Sequence, residues 1–441
     1  MKRPLAWIIC VFLLSAICGA NAEAQDIPNT NAPIEFIPIH TKAPIVMKNL
    51  YGNRSKARVR SSDCGPSSTE KAVMRCLRWL KNVQNEDGSW GGVDEPATEA
   101  TGMALLTFLA HGETPSASGE FGETVERAIR YLLTVQNEDG TFKGKAQFPA
   151  SEHGIVTRAM CEAYAMTKIP MLSNQCVRAV DVIIKAQRPA GLWGIDFSQD
   201  TGPDDVESSV WQILALKSAR MSGLKQEELR LAMQKARTAI TLTIELSIPE
   251  KKPGPSIYCL QITGYPRDKM ARLGLTALEG LTTNWRTPNY DNPVYQWHFI
   301  TLAKFNEGAK QWVEWNRSFS PALVTNQIVE VAKNGMECGY WVSPGTNERY
   351  GKIYSTALCC MMLECYYQYM PFSQHVDRDS PPPRKATGDT LRSSPEYMGG
   401  LPPVAPSPAR SGGWWSGRDS NPRPPRCEDV TVQSWKHPKK P

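Results

Sequence analysis

Ala72 to Trp90 reads AVMRCLRWLKNVQNEDGSW, and the same phrase returns twice further along the chain. Ala128 to Phe142 reads AIRYLLTVQNEDGTF, and Ala179 to Trp193 reads AVDVIIKAQRPAGLW. Gln84, Gln136 and Gln187 fall in register, as do Gly88, Gly140 and Gly191, and then Trp90, Phe142 and Trp193, at spacings of 52 and 51 residues. A fixed period of that length marks a stacked repeat architecture.

Each copy has the same physical grammar. Val73, Cys76, Leu77, Leu80 and Val83 recur at three- and four-residue spacing, which predicts an amphipathic helix. A turn follows, Asn-Glu-Asp-Gly in the first two copies, where glycine is expected to take the left-handed conformation that ends a helix. The aromatic after the turn is expected to lie back over the helix end, beside the glutamine. A second helix then starts at a polar residue: Thr98–His111, Glu152–Met166 and Asp205–Met221. One such hairpin cannot bury its own apolar face, so neighbouring copies must stack.

Beyond the third copy the plan continues less regularly. Helices are expected at Glu227–Glu245, Ser256–Ile262, Lys269–Leu281, Pro293–Phe305, Ala309–Gln327 and Tyr354–Tyr369, with Gly339-Tyr340-Trp341 as a degenerate copy of the glutamine-to-tryptophan signature. No alternating strand pattern competes. About six hairpins result, enough to close an all-α (α/α)6 toroid of inner and outer helices over residues 63–372.

The Gln–Gly–Trp units resemble the QW motifs of squalene and hopene cyclases and the related repeats of protein prenyltransferase β subunits. The stretches VYQWHFITLAKFNEGAKQWVEWN, from Val294, and RYGKIYSTALCCMMLECYYQYMP, from Arg349, resemble exported prenyltransferase and squalene oxidase repeat proteins of planctomycete-type bacteria. The resemblance covers about residues 65–372. It implies the toroid fold and leaves the reaction open, because one fold hosts many roles.

The flanks carry different information. Lys2 and Arg3, the apolar run Leu5–Ile17 and the Ala20-Asn21-Ala22 site read as a cleavable signal over residues 1–22, with Ala22-Glu23-Ala24 a second cleavage option. Export to the periplasm or outside is the expectation, with no transmembrane segment. Residues 23–62, with Pro28, Pro33, Pro38 and Pro44, read as an extended linker, and residues 373–441 as a disordered Pro/Arg-rich tail. The formal charge of +6 is concentrated at those ends: residues 378–441 hold 11 Lys/Arg against 6 Asp/Glu. The body lacks the concentrated basic face that nucleic acid requires. Of twelve cysteines, Cys10 and Cys18 fall in the signal. The others show no CxxC pairing, so connectivity is not readable, and Cys161, Cys359 and Cys360 read as small buried apolar groups.

The known catalytic signatures of the resembling families are missing. A class II terpene cyclase needs a strong acid set in Asp-x-Asp-Asp. Here Asp204-Asp205 is the nearest approach, with Gly202 two residues earlier. The Asp-x-Cys element of prenyltransferase zinc sites and the Cys-Gly-Glu-Gln of thioester toroids are also absent, so no cofactor or metal is expected. Geometry supplies the remaining candidates, since the first turns of all inner helices open toward one end. Those positions are Thr98, Thr101, His153, Asp204, Asp205, Tyr295, Trp297, His298, Tyr350 and Tyr354. His153 with Asp204 or Asp205 is the candidate acid–base pair, against a bland reading in which they cap helices. The aromatics form a candidate ligand funnel. The expected role is binding of a hydrophobic or extended ligand, or of an exported protein partner, at the cavity or rim. The alternatives are a terpenoid cyclase or prenyltransferase-type enzyme with a nonstandard acid, and a carbohydrate-active α/α barrel.

Overall fold

Twelve α-helices and one β-hairpin make up the computed structural model, which describes residues 68–365 apart from 93–94, 143, 145, 199–203, 225–226, 265–267 and 346–350. The expected signal, linker and tail, Tyr350 and the Tyr366-Tyr367-Tyr369 cluster lie outside the described residues. The odd-numbered helices are α1 (Ser68–Asn82), α3 (Gly122–Thr134), α5 (Pro170–Ala186), α7 (Glu227–Ser247), α9 (Lys269–Ala277) and α11 (Ala309–Asn326). The even-numbered ones are α2 (Ala97–His111), α4 (Pro149–Thr167), α6 (Val206–Ser222), α8 (Gly254–Thr263), α10 (Pro293–Glu307) and α12 (Lys352–Leu363).

The two sets differ in chemistry, and that difference sorts them into layers. Helix α2 reads ATEATGMALLTFLAH and is buried on nearly every side, whereas α1 buries one stripe of Ala72, Val73, Cys76, Leu77, Trp79 and Leu80. A helix apolar all round belongs inside, and an amphipathic one belongs at the surface. The even helices accordingly pack in sequence, α2 on α4, α4 on α6, α6 on α8, α8 on α10 and α10 on α12, and α12 returns to α2. The ring is closed, with the odd helices outside it: an all-α toroid. Gly102 and Gly154 permit the close approach of α2, α4 and α6. A methyl at Gly154 would stand 2.9 Å from the Trp211 backbone.

The repeated glutamine explains why the copies stack. The Gln84 amide donates to the carbonyl of Gly88 in its own turn (3.0 Å) and to that of Thr124 on the next outer helix (3.0 Å). Gln136 does the same to Gly140 and Gln175, and Gln187 to Gly191 and Ala232. One side chain thus ties a turn to the following repeat. The indole N–H of Trp90 donates to Leu80 and that of Trp193 to Ile183, folding each aromatic back on its helix. The glycine lies in the turn, beyond the helix end where it was expected. Gly88, Gly140 and Gly191 have φ of 90°, 87° and 103°, and a methyl there would meet the Arg127, Arg178 or Lys235 carbonyl at 2.5–2.6 Å. Both the backbone conformation and the space require glycine.

A two-stranded antiparallel hairpin, β1 (Ile328–Val331) with β2 (Glu337–Tyr340), corrects the expectation of no strands. Its strands are four residues each, too short for alternation to register, and its turn contains Asn334-Gly335 with Gly335 at φ 79°. The hairpin sits at the seam between the last and first helices. Arg75 pairs with Glu337 at 2.6 Å, Trp79 stacks on Tyr340 at 4.9 Å, and the Gln327 amide donates to the Ala72 carbonyl at 2.8 Å. Trp341 then donates its indole N–H to Leu323 at 2.8 Å. Gln327 and Trp341 are therefore a fourth copy of the signature, with the hairpin inserted between its two halves. Near the seam, His111 is buried against Glu113 (2.6 Å) and Glu70 (3.7 Å). Burial opposes its charge, but the bonds to Glu113 and Glu70 raise its pKa to about 9.

Candidate functional site

The backbone N–H of each signature aromatic has an acceptor on the following inner helix. For Trp90 it is Thr101 Oγ1 (3.0 Å), for Trp193 Ser209 Oγ (2.9 Å), and for Trp341 Thr356 Oγ1 (3.0 Å). For Phe142 it is His153 Nδ1, at 3.1 Å. His153 thus holds the place of a hydroxyl residue in the repeat. Because Nδ1 accepts, Nε2 carries the proton and donates to the Ala179 carbonyl at 2.9 Å. Burial lowers the pKa of this ring to about 4. Neither nitrogen is turned toward the candidate aspartates. Asp205 caps α6 by accepting from Ser208 N (2.7 Å), and Asp204 pairs with Arg188 at 3.3 Å. The structure therefore does not assemble the His153–aspartate pair, because all three side chains serve the local backbone or Arg188.

The other sequence candidates divide between two environments. Thr98 is buried, and Thr101 is engaged as described. Trp297 packs on Trp285 of the α9–α10 connection, centroids 5.7 Å apart. Tyr295, His298 and Tyr354 enter an aromatic layer across the ring. Trp211 on α6 meets Phe299 on α10 at 5.8 Å and Tyr354 on α12 at 6.4 Å, both edge-on. Phe299 also touches Tyr295 (4.9 Å), Tyr258 on α8 (6.1 Å) and the His298 ring (5.1 Å). Helices α6 and α12 stand opposite each other in the ring, so these side chains span its axis. Trp211 and Phe299 occupy the second turns of their helices and Tyr354 the first, which places the layer just below the rim of inner-helix N-termini.

Polar groups are built into this layer. Arg158, on α4, sits 6.0 Å over the Trp211 ring and pairs with Glu162 at 3.0 Å, a carboxylate that Ser218 also approaches at 3.4 Å. All three are buried. His298 is fully buried; desolvation and the Arg158 charge lower its pKa to about 3, so its ring is neutral. The Leu358 carbonyl lies near enough to favour protonation, yet neither ring nitrogen makes a well-formed hydrogen bond. The indole N–H of Trp211 and the Oε1 of Gln212 are likewise buried without a partner. Arg158 and Glu162 were not singled out from the sequence. A charged pair four residues apart in the otherwise apolar run VTRAMCEAYAM was the available signal.

Glu152 is a second group that sequence reasoning passed over, naming it only as a helix start. Its side chain is buried at the first turn of α4; Oε2 accepts from Gly144 N at 3.0 Å, and the Glu99 backbone also favours the charged form. Burial raises its pKa to about 7. The folded protein therefore keeps a proton on Glu152 that the unfolded chain has lost, and stability falls as pH rises from 4.5 through 7. Glu152→Gln mimics the protonated carboxyl. It is expected to raise unfolding free energy by about 3 kcal/mol above about pH 8 and to change little below pH 4. Denaturant unfolding of both proteins across that range checks this, and a pH-independent difference would refute it. Among the described residues, no three His, Cys, Asp or Glu side chains are placed to hold a metal ion, and no helix is long and apolar enough to cross a membrane.

Comparison with known proteins agrees with the repeat. Residues 48–154 match the model of the squalene-hopene cyclase C-terminal domain. A squalene–hopene cyclase of Zymomonas mobilis is 34% identical over 86 residues, covering 16% of this chain and 12% of that protein. A terpene cyclase-glycosyl transferase fusion protein of Humicola fuscoatra is 26% identical over 145 residues, covering 30% of this chain and 10% of its own length. The matched segments are thus small parts of both relatives.

Proposed function

We propose that the chain, whose toroid fold and partial sequence matches resemble the squalene cyclase and prenyltransferase-like superfamily, is an exported binding member of that group. Its ligand is an extended, mainly apolar molecule with a polar end, seated on the aromatic layer beneath the inner-helix rim. The observation that carries this reading is the Trp211 indole N–H, buried within an aromatic cluster without an acceptor. A buried donor left unpaired costs about 1–3 kcal/mol, so a folded protein supplies it with a partner from water or ligand. The aromatic walls favour an apolar molecule, and the orphan N–H and the neutral His298 ring favour a polar end. The signal-like N-terminus supports an extracytoplasmic site of action.

A specific test uses farnesol as the probe. Binding followed by tryptophan fluorescence is expected in the native protein, weakened about tenfold in Trp211→Phe, which keeps the ring and removes the N–H. Native mass spectrometry of the purified chain is expected to find an apolar small molecule. Neither a bound molecule nor farnesol binding would mean that water satisfies Trp211, and the proposal would fail. Glu152 favours a second reading, proton-transfer chemistry. Yet a carboxyl with a pKa of about 7 is a weaker acid than an ordinary one, the opposite of what alkene protonation demands. Binding is therefore the better-supported role.

A further inference from the structure

The charge beside Trp211 comes as a pair. Arg158 on α4 lies 6.0 Å over the indole, and its Nε donates to Glu162 Oε1, one turn along the same helix, at 3.0 Å. The Ser218 hydroxyl on α6 donates to the same oxygen at 3.4 Å. Arg158 is 4% exposed and Glu162 7%, so both charges are held inside the ring and they cancel. His298 stands edge-on to Phe299 at 5.1 Å and adds no charge, since its fully buried ring is neutral. Lys304, the buried cation nearly two turns further along α10, is engaged elsewhere. Its ammonium donates to the Leu278 carbonyl at 2.9 Å and lies 5.1 Å over Trp315.

The hydrogen-bonding groups are uncharged as well. The Trp211 N–H is a donor without an acceptor. Gln212, the next residue of α6, spends its amide N–H on the Ala150 carbonyl (2.6 Å) and leaves Oε1 without a partner. A neutral imidazole such as His298 keeps one acceptor nitrogen. A donor for an oxygen, with acceptors for that oxygen's proton, is what an alcohol uses. A hydrocarbon would leave the indole N–H unpaired. A carboxylate or phosphate would need a compensating cation, and drawing Arg158 away would strand Glu162 as a buried, unpaired charge.

We propose, resting on the binding reading above, that the ligand is a long-chain alcohol whose uncharged oxygen accepts from Trp211 Nε1. The closed Arg158–Glu162 pair is the charge filter that rejects carboxylates and phosphates of the same chain.

The test compares four probes with one hydrocarbon chain, farnesol, farnesene, farnesoic acid and farnesyl phosphate, by tryptophan fluorescence titration of the full chain at neutral pH. Farnesol is expected to bind most tightly. Farnesene should be about tenfold weaker, and the two anions at least about a hundredfold weaker. Glu162→Gln keeps the side-chain shape and removes the balancing charge, so farnesoic acid should gain at least about tenfold relative to farnesol. If none of the four binds, the binding reading itself falls and this proposal with it. If the hydrocarbon or either anion binds as tightly as farnesol, the layer takes a ligand without choosing an alcohol, and only the present proposal is overturned. An unchanged acid-to-alcohol ratio in a folded Glu162→Gln protein overturns the charge filter. If that variant does not fold, the four-probe series on the unaltered chain still decides.

Discussion

Acidification from pH 6.5 to about 3 is expected to cost the fold about 5 kcal/mol through His298 alone. The ring is fully buried on α10 beside the Arg158 guanidinium, and both desolvation and that charge oppose a second positive charge. Its folded pKa is depressed below the unfolded value of 6.5, so between the two the unfolded chain binds a proton that the folded protein refuses. The stabilisation is therefore complete above 6.5 and is lost as pH falls toward the folded pKa. His153 adds about 3 kcal/mol over the window from 6.5 to about 4, since burial disfavours its charged form, and protonating Nδ1 would also remove the acceptor for Phe142 N–H. In His298→Gln the unfolding free energy should fall with acid by about 5 kcal/mol less than in the parent. Equilibrium denaturation at a series of pH values measures this. Equal slopes would show that Arg158 and solvent relieve the charge, and the site would then be wetter than the burial of His298 implies.

The repeat was legible because three glutamines, three glycines and three aromatics each do the same job in a fixed frame. Gln84, Gln136 and Gln187 bridge to the next outer helix, and every copy needs that bridge. The inner and outer layers were legible because α2 has no polar face while α1 has one. The fourth copy was half hidden: Gln327 and Trp341 are separated by an inserted hairpin, which stretches the short glutamine-to-aromatic interval of the other copies. The candidate site was read less well. Thr101 and His153 both lie eleven residues after their aromatic and accept from its N–H, an offset that assigns His153 to the scaffold. Asp204 and Asp205 looked like chemistry because acids cluster there, but a helix start attracts acids for its own reasons. Arg158, Glu162 and Trp211 were hidden by their helix positions. Which face of an all-apolar helix points at the axis depends on packing between α4, α6, α10 and α12, which no local periodicity encodes.

Ring closure sets the second large effect, a loss of about 4–5 kcal/mol in Trp341→Ala. The indole is fully buried, donates to Leu323 on α11, and its backbone N–H meets Thr356 on α12. Two residues of the same signature, Gln327 and Trp341, therefore bind α11, α12 and, through Ala72, the first helix. In an open stack each repeat touches only its neighbours, and the terminal repeats are the weakest. Closing the ring gives the last hairpin the first as a neighbour and removes those ends. Truncation at Trp341 should consequently do more than leave a cavity. It should reopen the ring, so that unfolding in denaturant broadens or splits into two transitions as the seam helices separate first. Trp341→Phe provides the control. The second repeat already carries Phe142 at the matching position, so the ring alone fills the space, and the cost should fall to about 1–2 kcal/mol for the orphaned Leu323 carbonyl. If the alanine variant is no less stable than the phenylalanine one and still unfolds in a single sharp transition, the seam is not what holds the toroid closed.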